Sequence, residues 1–213
     1  MLFYTLKAIM FRPAMERVTE MNGNLAYQEE PREEIIGGNV VMMSAPTINH
    51  SRVAGNIYYL FRQYLEGRPC EPFEDGTALY LEEGREEYQP DMMVVCDPEK
   101  VKDDGVYGAP DLVVEVLSPG TGRYDRGHKK DVYEKCGVRE YWIADPANRT
   151  VEQYVLENGA FVLRDVYALC PDFMLRRMKP EERAALATSF SCAVFEDLTI
   201  SLERVFRRVA PVV

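Results

Sequence analysis

Two apolar segments open on the same dipeptide, Pro90-Asp91 ahead of Met-Met-Val-Val and Pro110-Asp111 ahead of Leu-Val-Val. The second then places a carboxylate, Glu115, inside the run Leu112 to Leu117. Strand alternation puts Glu115 on the face shared by Val113 and Leu117. An ionised carboxylate left unpaired there costs several kcal/mol, so it calls for a cation, a hydrogen-bond network or a raised pKa. The plainer alternative is a strand-end glutamate that reaches solvent or pairs with an arginine. Asp111 is four residues away on the same face, about 13 Å at roughly 3.3 Å per residue. That is too far to share an ion whose ligand bonds are about 2.0–2.1 Å, the Mg²⁺ value. Asp91 stands on another strand, and neighbouring strands lie about 4.8 Å apart. If the two strands pair, Asp91 and Glu115 converge. Asp91 is the better partner, and Asp111 reads as a strand-entry turn residue.

These side chains need elements to hold them. Residues 29–43 read as a turn at Gly37-Gly38 leading into a strand, Asn39 to Met43. His50, Ala54, Ile57, Phe61 and Tyr64 recur at three- and four-residue steps and predict a helix over 47–66, ended by Gly67. Strands are expected at Thr77–Leu81, Asp91–Cys96, Asp111–Leu117, Glu140–Asp145, Thr150–Leu156 and Phe161–Tyr167, parted by Gly, Pro and Asn turns. A second helix fills 124–136, closed by Gly137, and the tail 179–208 holds another helical stretch. This order predicts a mixed α/β or α+β domain around one sheet. On its apolar helix face, His50 reads first as a hydrogen-bonded core residue. Tyr141 and Trp142 read as core, and Cys96 and Cys136 as buried small hydrophobes.

Composition narrows the classes. The chain has 213 residues, with 25 Lys and Arg against 35 Asp and Glu, a formal charge of −10. At 46% hydrophobic and 28% charged it is globular rather than disordered, long enough for a full core in one domain. No run approaches the roughly 18 apolar residues of a spanning helix, so a membrane is not expected as a partner. The short apolar start, Met1 to Phe11, carries Lys7 and no small-residue cleavage site, which argues against a signal peptide. Five scattered cysteines argue against a disulfide framework and fit a reducing cytoplasm. With no CxxC pair and two histidines, a zinc site is not expected. Residues 66–87 hold eight acids against Arg68 and Arg85, while residues 123–135 hold five bases against three acids. Any duplex would approach from the second side, and the general acidity implies weak, salt-sensitive binding or dependence on a partner.

Pro110-Asp-Leu-Val-Val-Glu-Val-Leu-Ser-Pro119, Asp125-Arg-Gly-His-Lys129, Tyr133 and Gly137-Val-Arg-Glu-Tyr-Trp-Ile-Ala-Asp-Pro146 together resemble a known pattern. It is that of the PD-(D/E)XK nuclease superfamily and, more closely, its bacterial Uma-two branch of restriction-endonuclease type. Upstream, Glu34-Ile-Ile-Gly-Gly, Met42-Met43-Ser and the helix-opening His50 fit as well. The resemblance runs from about residue 29 to 167, and its middle block carries the specificity. It implies a restriction-endonuclease-like core, a central mixed sheet flanked by helices. Residues 1–28 would then be an N-terminal extension and 29–213 a single nuclease domain.

The superfamily's strand lysine is missing, because Leu117 stands two residues after Glu115. The resemblance supplies it from the following helix as Lys129, with Asp125 and Tyr133 one turn to either side. From spacing alone, Asp125 and Lys129 form an exposed i, i+4 pair worth a few tenths of a kcal/mol. On that basis Lys129 would contribute less than about 1 kcal/mol to folding. Lys130, turned by about 100°, is the fallback. His50 would lie near the cleft, holding a carboxylate or a phosphate. The implied chemistry is hydrolysis of DNA phosphodiesters. Asp91, Glu115 and the main-chain carbonyl of Val116 would hold one or two Mg²⁺ ions, with Mn²⁺ able to substitute. Lys129 would orient water and offset charge. A homodimer is expected, since C₂ pairs are the commonest oligomers. Two other classes stay open: a catalytically weak module of this fold that binds nucleic acid or protein, and a scaffold unrelated to nucleic acid.

Overall fold

The computed structural model describes residues 32–210. The expected 1–28 extension lies outside the described residues. The described residues begin with a hairpin, β1 (Glu33–Ile36) and β2 (Asn39–Met42), followed by α1 (Ile48–Leu65). Then come β3 (Glu71–Glu74), β4 (Leu79–Glu82), β5 (Glu86–Tyr88), β6 (Met92–Val95), β7 (Val101–Lys102), β8 (Gly105–Tyr107) and β9 (Leu112–Val116). Two short helices, α2 (Gly122–Asp125) and α3 (His128–Cys136), precede β10 (Glu140–Asp145), β11 (Thr150–Glu157) and β12 (Ala160–Ala168). The tail holds α4 (Asp172–Leu175), α5 (Pro180–Ala184), β13 (Ser189–Ser191), β14 (Thr199–Ser201) and α6 (Leu202–Val205).

The single sheet expected from the sequence is corrected, among the described residues, to two six-stranded sheets and a small two-stranded one. Their orders are β2-β1-β5-β4-β8-β7, β12-β11-β10-β9-β6-β3 and β13-β14. In the second sheet β9 and β10 run parallel and every other neighbouring pair is antiparallel. This sheet is the centre of the molecule and is covered on both faces. On one face Met92, Val94, Leu112, Val114 and Trp142 pack against Val53, Ile57 and Phe61 of α1 and against the tail. On the other, Met93, Val95, Val113, Tyr141 and Ile143 meet Leu79 and Tyr88 of the first sheet and Tyr133 of α3. Burial on both faces explains why β6, and β9 apart from Glu115, read as continuous apolar runs rather than alternating ones.

Thr47 caps α1, its side chain accepting from the His50 N–H. The helix expected over 124–136 is broken instead. Gly127 separates α2 from α3, and a Cβ there would stand 2.9 Å from the Arg123 carbonyl oxygen. The backbone at Gly127 leaves helical geometry, with φ −117° and ψ −107°, and passes too close to the Arg123 carbonyl for the Cβ of an ordinary residue. The reading of the cysteines is also corrected, because Cys70 and Cys96 form a disulfide. They flank β3 and β6, whose Glu71 and Val95 are paired, so strand pairing brings the thiols together. Cys136 is half-buried rather than buried. The cysteine argument for a reducing compartment therefore falls away. No helix among the described residues is long and apolar enough to cross a membrane.

Candidate active site

The register of the central sheet decides which carboxylates meet. Met92 lies opposite Val114 and Met93 opposite Val113. One step further along the same antiparallel register puts Asp91 opposite Glu115, and directly opposed residues share a face. Asp91 Oδ2 accepts the Val116 N–H at 2.7 Å and lies 3.3 Å from His50 Nε2. A strand residue's N–H and C=O point to the same side, so the Val116 carbonyl is turned toward Asp91 as well. Asp111 sits at the other end of β9. There it accepts the Cys96 N–H at 2.7 Å and pairs with Arg139 at 3.1 Å, away from the cleft.

Glu115 is 3% exposed. Its Oε1 accepts from the Tyr133 hydroxyl at 2.8 Å and from Lys129 Nζ at 3.2 Å. The same ammonium donates to Glu34 Oε1 at 2.8 Å and lies 3.8 Å from Asp125 Oδ1. Both oxygens of Asp125 are buried with no hydrogen-bond partner. The expectation of an exposed helix pair is thus corrected, since Lys129 is 2% exposed and enclosed by three carboxylates. The break at Gly127 lies between the two residues, so surface spacing on one helix does not apply. Lys130 instead covers the Tyr154 ring at 4.8 Å and does not line the cleft.

The cleft itself is small, about 80 Å³, and Asp91, Glu115, Asp125, Lys129, His50 and Ser118 are among its walls. Its walls carry Asp75, Asp91, Glu115 and Asp125 against Arg32, His50 and Lys129, and Glu34 also accepts from Lys129. Burial drives the Glu115 carboxyl well above the usual range; Lys129 opposes this, and Asp125 and Asp91 add to it. Burial likewise raises Asp125 to about 6 against the pull of Lys129. For Lys129 burial disfavours the charge, but Glu115, Glu34 and Asp125 outweigh it and hold the ammonium firmly protonated. His50 follows the same logic. Burial lowers its proton affinity, and the Asp91 hydrogen bond and charge more than restore it.

Does this donor set suit a metal ion? Among the described residues no group of three or more His, Cys, Asp or Glu side chains forms a ready cage. Two carboxylates and a carbonyl in a cleft with surplus negative charge do fit Mg²⁺, which takes one or two carboxylates and keeps several waters.

Sequence reasoning did not place Glu34 in the site, although a signal existed. In β1 the buried residues are Glu34 and Ile36, two apart on one face, which is the same alternation that singled out Glu115. Gln89 was also missed; its N–H donates to Glu34 Oε1 at 2.9 Å. At the mouth, Arg32 joins the Gln89 amide oxygen to Asp75.

The sequence matches the Uma2 family, described as "Putative restriction endonuclease", over residues 19–183. The uncharacterized protein slr1290 of Synechocystis sp. is 31% identical over 145 residues, covering 67% of this chain and 70% of the relative. A second uncharacterized Synechocystis protein, sll1609, is 27% identical over 130 residues, covering 60% and 73%. Among solved structures, one described as a putative nuclease belonging to DUF820 from Anabaena variabilis superposes with a TM-score of 0.62 at 19% identity. It covers 83% of this chain and 90% of that one. That neighbour shares the fold, and with the family model matched over most of its length the chain belongs to the Uma2 family, described as putative restriction endonucleases.

Proposed function

We propose that this chain is a metal-dependent nuclease that hydrolyses DNA phosphodiester bonds. The reading rests on one observation, the meeting of Asp91, Glu115 and Lys129 in a single cleft where the β6 and β9 pairing ends. Asp91, Glu115 and the Val116 carbonyl would hold Mg²⁺, with Mn²⁺ able to substitute. The ion, when bound, supplies an acidified water and offsets charge on phosphorus. His50 and the Val116 N–H fix Asp91 through its Oδ2. Tyr133 fixes Glu115 through its Oε1. Lys129, kept cationic by its carboxylate neighbours, donates N–H bonds where negative charge develops. The water oxygen forms the new P–O bond, the P–O bond to the leaving sugar breaks, and the leaving oxygen takes up a proton.

Thermal melting with added Mg²⁺ or Mn²⁺ tests the ligand assignment, because an ion that binds only the folded state stabilises it. The melting temperature should rise in the unmodified chain. Asp91→Asn should abolish the rise and Asp111→Asn should keep most of it; identical responses would remove Asp91 from its role. Metal-dependent cleavage of plasmid or single-stranded DNA tests the activity. A second reading, a catalytically silent module of this fold, is favoured by Lys129 already engaging Glu115 Oε1 and Glu34. It expects DNA or protein binding with neither a metal-induced shift nor cleavage.

A further inference from the structure

Beside the cleft opens a groove of about 730 Å³, and the two share Thr47, Ser118 and Pro119 as a common wall. Its surface is largely apolar: Leu117, Pro119 and Pro146 line it, and Ile48, at the start of α1, is 73% exposed on it. Two guanidiniums, Arg52 and Arg126, stand among this apolar surface. Arg126 shares its charge with Glu152 while its side chain stays about half exposed. Arg52 is exposed, and its hydrogen bond goes to the neutral amide oxygen of Asn49. The groove's carboxylate, Asp145, is absorbed by its own turn. Its Oδ1 accepts from the Ala147 and Asn148 N–H groups and its Oδ2 from the Asn148 amide.

We propose that this groove takes an unpaired stretch of single-stranded DNA leading to the phosphate in the cleft; the proposal rests on the nuclease reading above. Three observations favour a single strand over a duplex. The lining is aliphatic, with Ile48, Leu117, Pro119 and Pro146, and offers apolar contact for base faces, which a duplex hides in its stack and a single strand exposes. The volume falls within the roughly 300–1,000 Å³ of small-ligand pockets, which has room for bases and not for a double helix. The charge is two arginines on a chain of formal charge −10, whereas duplex binding draws on many phosphate contacts.

Fluorescence anisotropy tests this with a labelled oligothymidylate, alone and annealed to its complement, in EDTA so that binding is read without cleavage. The single strand should bind at least about ten-fold more tightly than the duplex. Covering an exposed aliphatic side chain fully is worth roughly ten-fold or more, so Ile48→Ser should weaken single-strand binding by about five-fold. Arg52→Glu should weaken it at least as much. Arg164→Glu, the same charge change on β12 outside the groove, should stay within about two-fold if binding is local rather than a matter of net charge. Circular dichroism shows whether each variant is folded. Tighter binding of the duplex, equal losses in Arg52→Glu and Arg164→Glu, or no loss in either groove variant overturns the proposal. Metal-dependent cleavage measured on the same proteins separates the two readings. Cleavage that ignores the groove variants sinks the groove alone, and groove-dependent binding without any cleavage sinks the nuclease alone.

Discussion

Lys129 faces Glu34, Glu115 and Asp125 at once, so its ammonium belongs to the fold before any substrate arrives. Removing one partner of a buried ion cluster costs roughly 3–5 kcal/mol, because the remaining charges lose their compensation. Lys129→Met should therefore destabilise by about that much in urea denaturation, while Lys130→Met costs less than about 1 kcal/mol. Adding Glu34→Gln to Lys129→Met should recover part of the loss. Equal costs at the two lysines would mean that the cluster is not the anchor described. Asp125 gives the opposite sign. Its carboxyl sits at about 6 when folded against 3.8 as an ordinary aspartate, so the folded state holds this proton more tightly. That contribution favours folding fully below the unfolded value and is lost as pH rises through the folded one. Asp125→Asn should gain stability relative to the parent chain between about pH 4 and about pH 7. A difference that stays constant across that window would show that Asp125 does not titrate as an unpartnered buried acid.

At the scale of elements, the Gly127 break decides where Lys129 can go. A β-carbon there would sit 2.9 Å from the Arg123 carbonyl oxygen, closer than real Cβ contacts allow, and that neighbour is backbone. Gly127→Ala should cost about 1–3 kcal/mol by overpacking and lower any cleavage, since α3 must shift. Gly120→Ala, whose Cβ would meet Ser44 Oγ at an ordinary 3.6 Å, serves as the control and should change stability by less than about 0.5 kcal/mol. If both variants melt alike, the close crossing is not what splits the helix. This break was not legible in the sequence, because a glycine at 127 fits a straight helix at modest cost. What was legible had length or period. β9 through β12 are runs of five to nine residues, and α1 repeats its apolar positions over 18. β5, β7 and β8 have two or three residues, several of them charged or glycine, and exist because neighbouring strands pair with them. The Cys70–Cys96 bond was hidden for the same reason, since 26 residues of separation say nothing until β3 lies on β6.

Over the whole molecule the charge works against nucleic acid and sets how strongly salt should act. The formal charge is −10, and Lys129, one of the bases in the segment 123–135, is spent on buried carboxylates. Arg32 at the mouth is paired with Asp75, which leaves Arg52 and Arg126 in the groove. Each phosphate neutralised on a single strand contributes about −0.7 to the slope of log K against log salt concentration. Two contacts therefore predict a slope of about −1 to −2, measured by anisotropy across a salt series with metal absent. Arg52→Glu should flatten it by roughly one contact's share, about 0.7. A slope steeper than about −4 would require many more phosphate contacts than the groove can make. Binding would then rest on bases beyond it, including Lys7, Arg12 and Arg17, which lie outside the described residues. A shallow slope joined to tight binding would instead place most of the affinity on apolar contact between bases and the aliphatic lining, the contribution that salt does not screen.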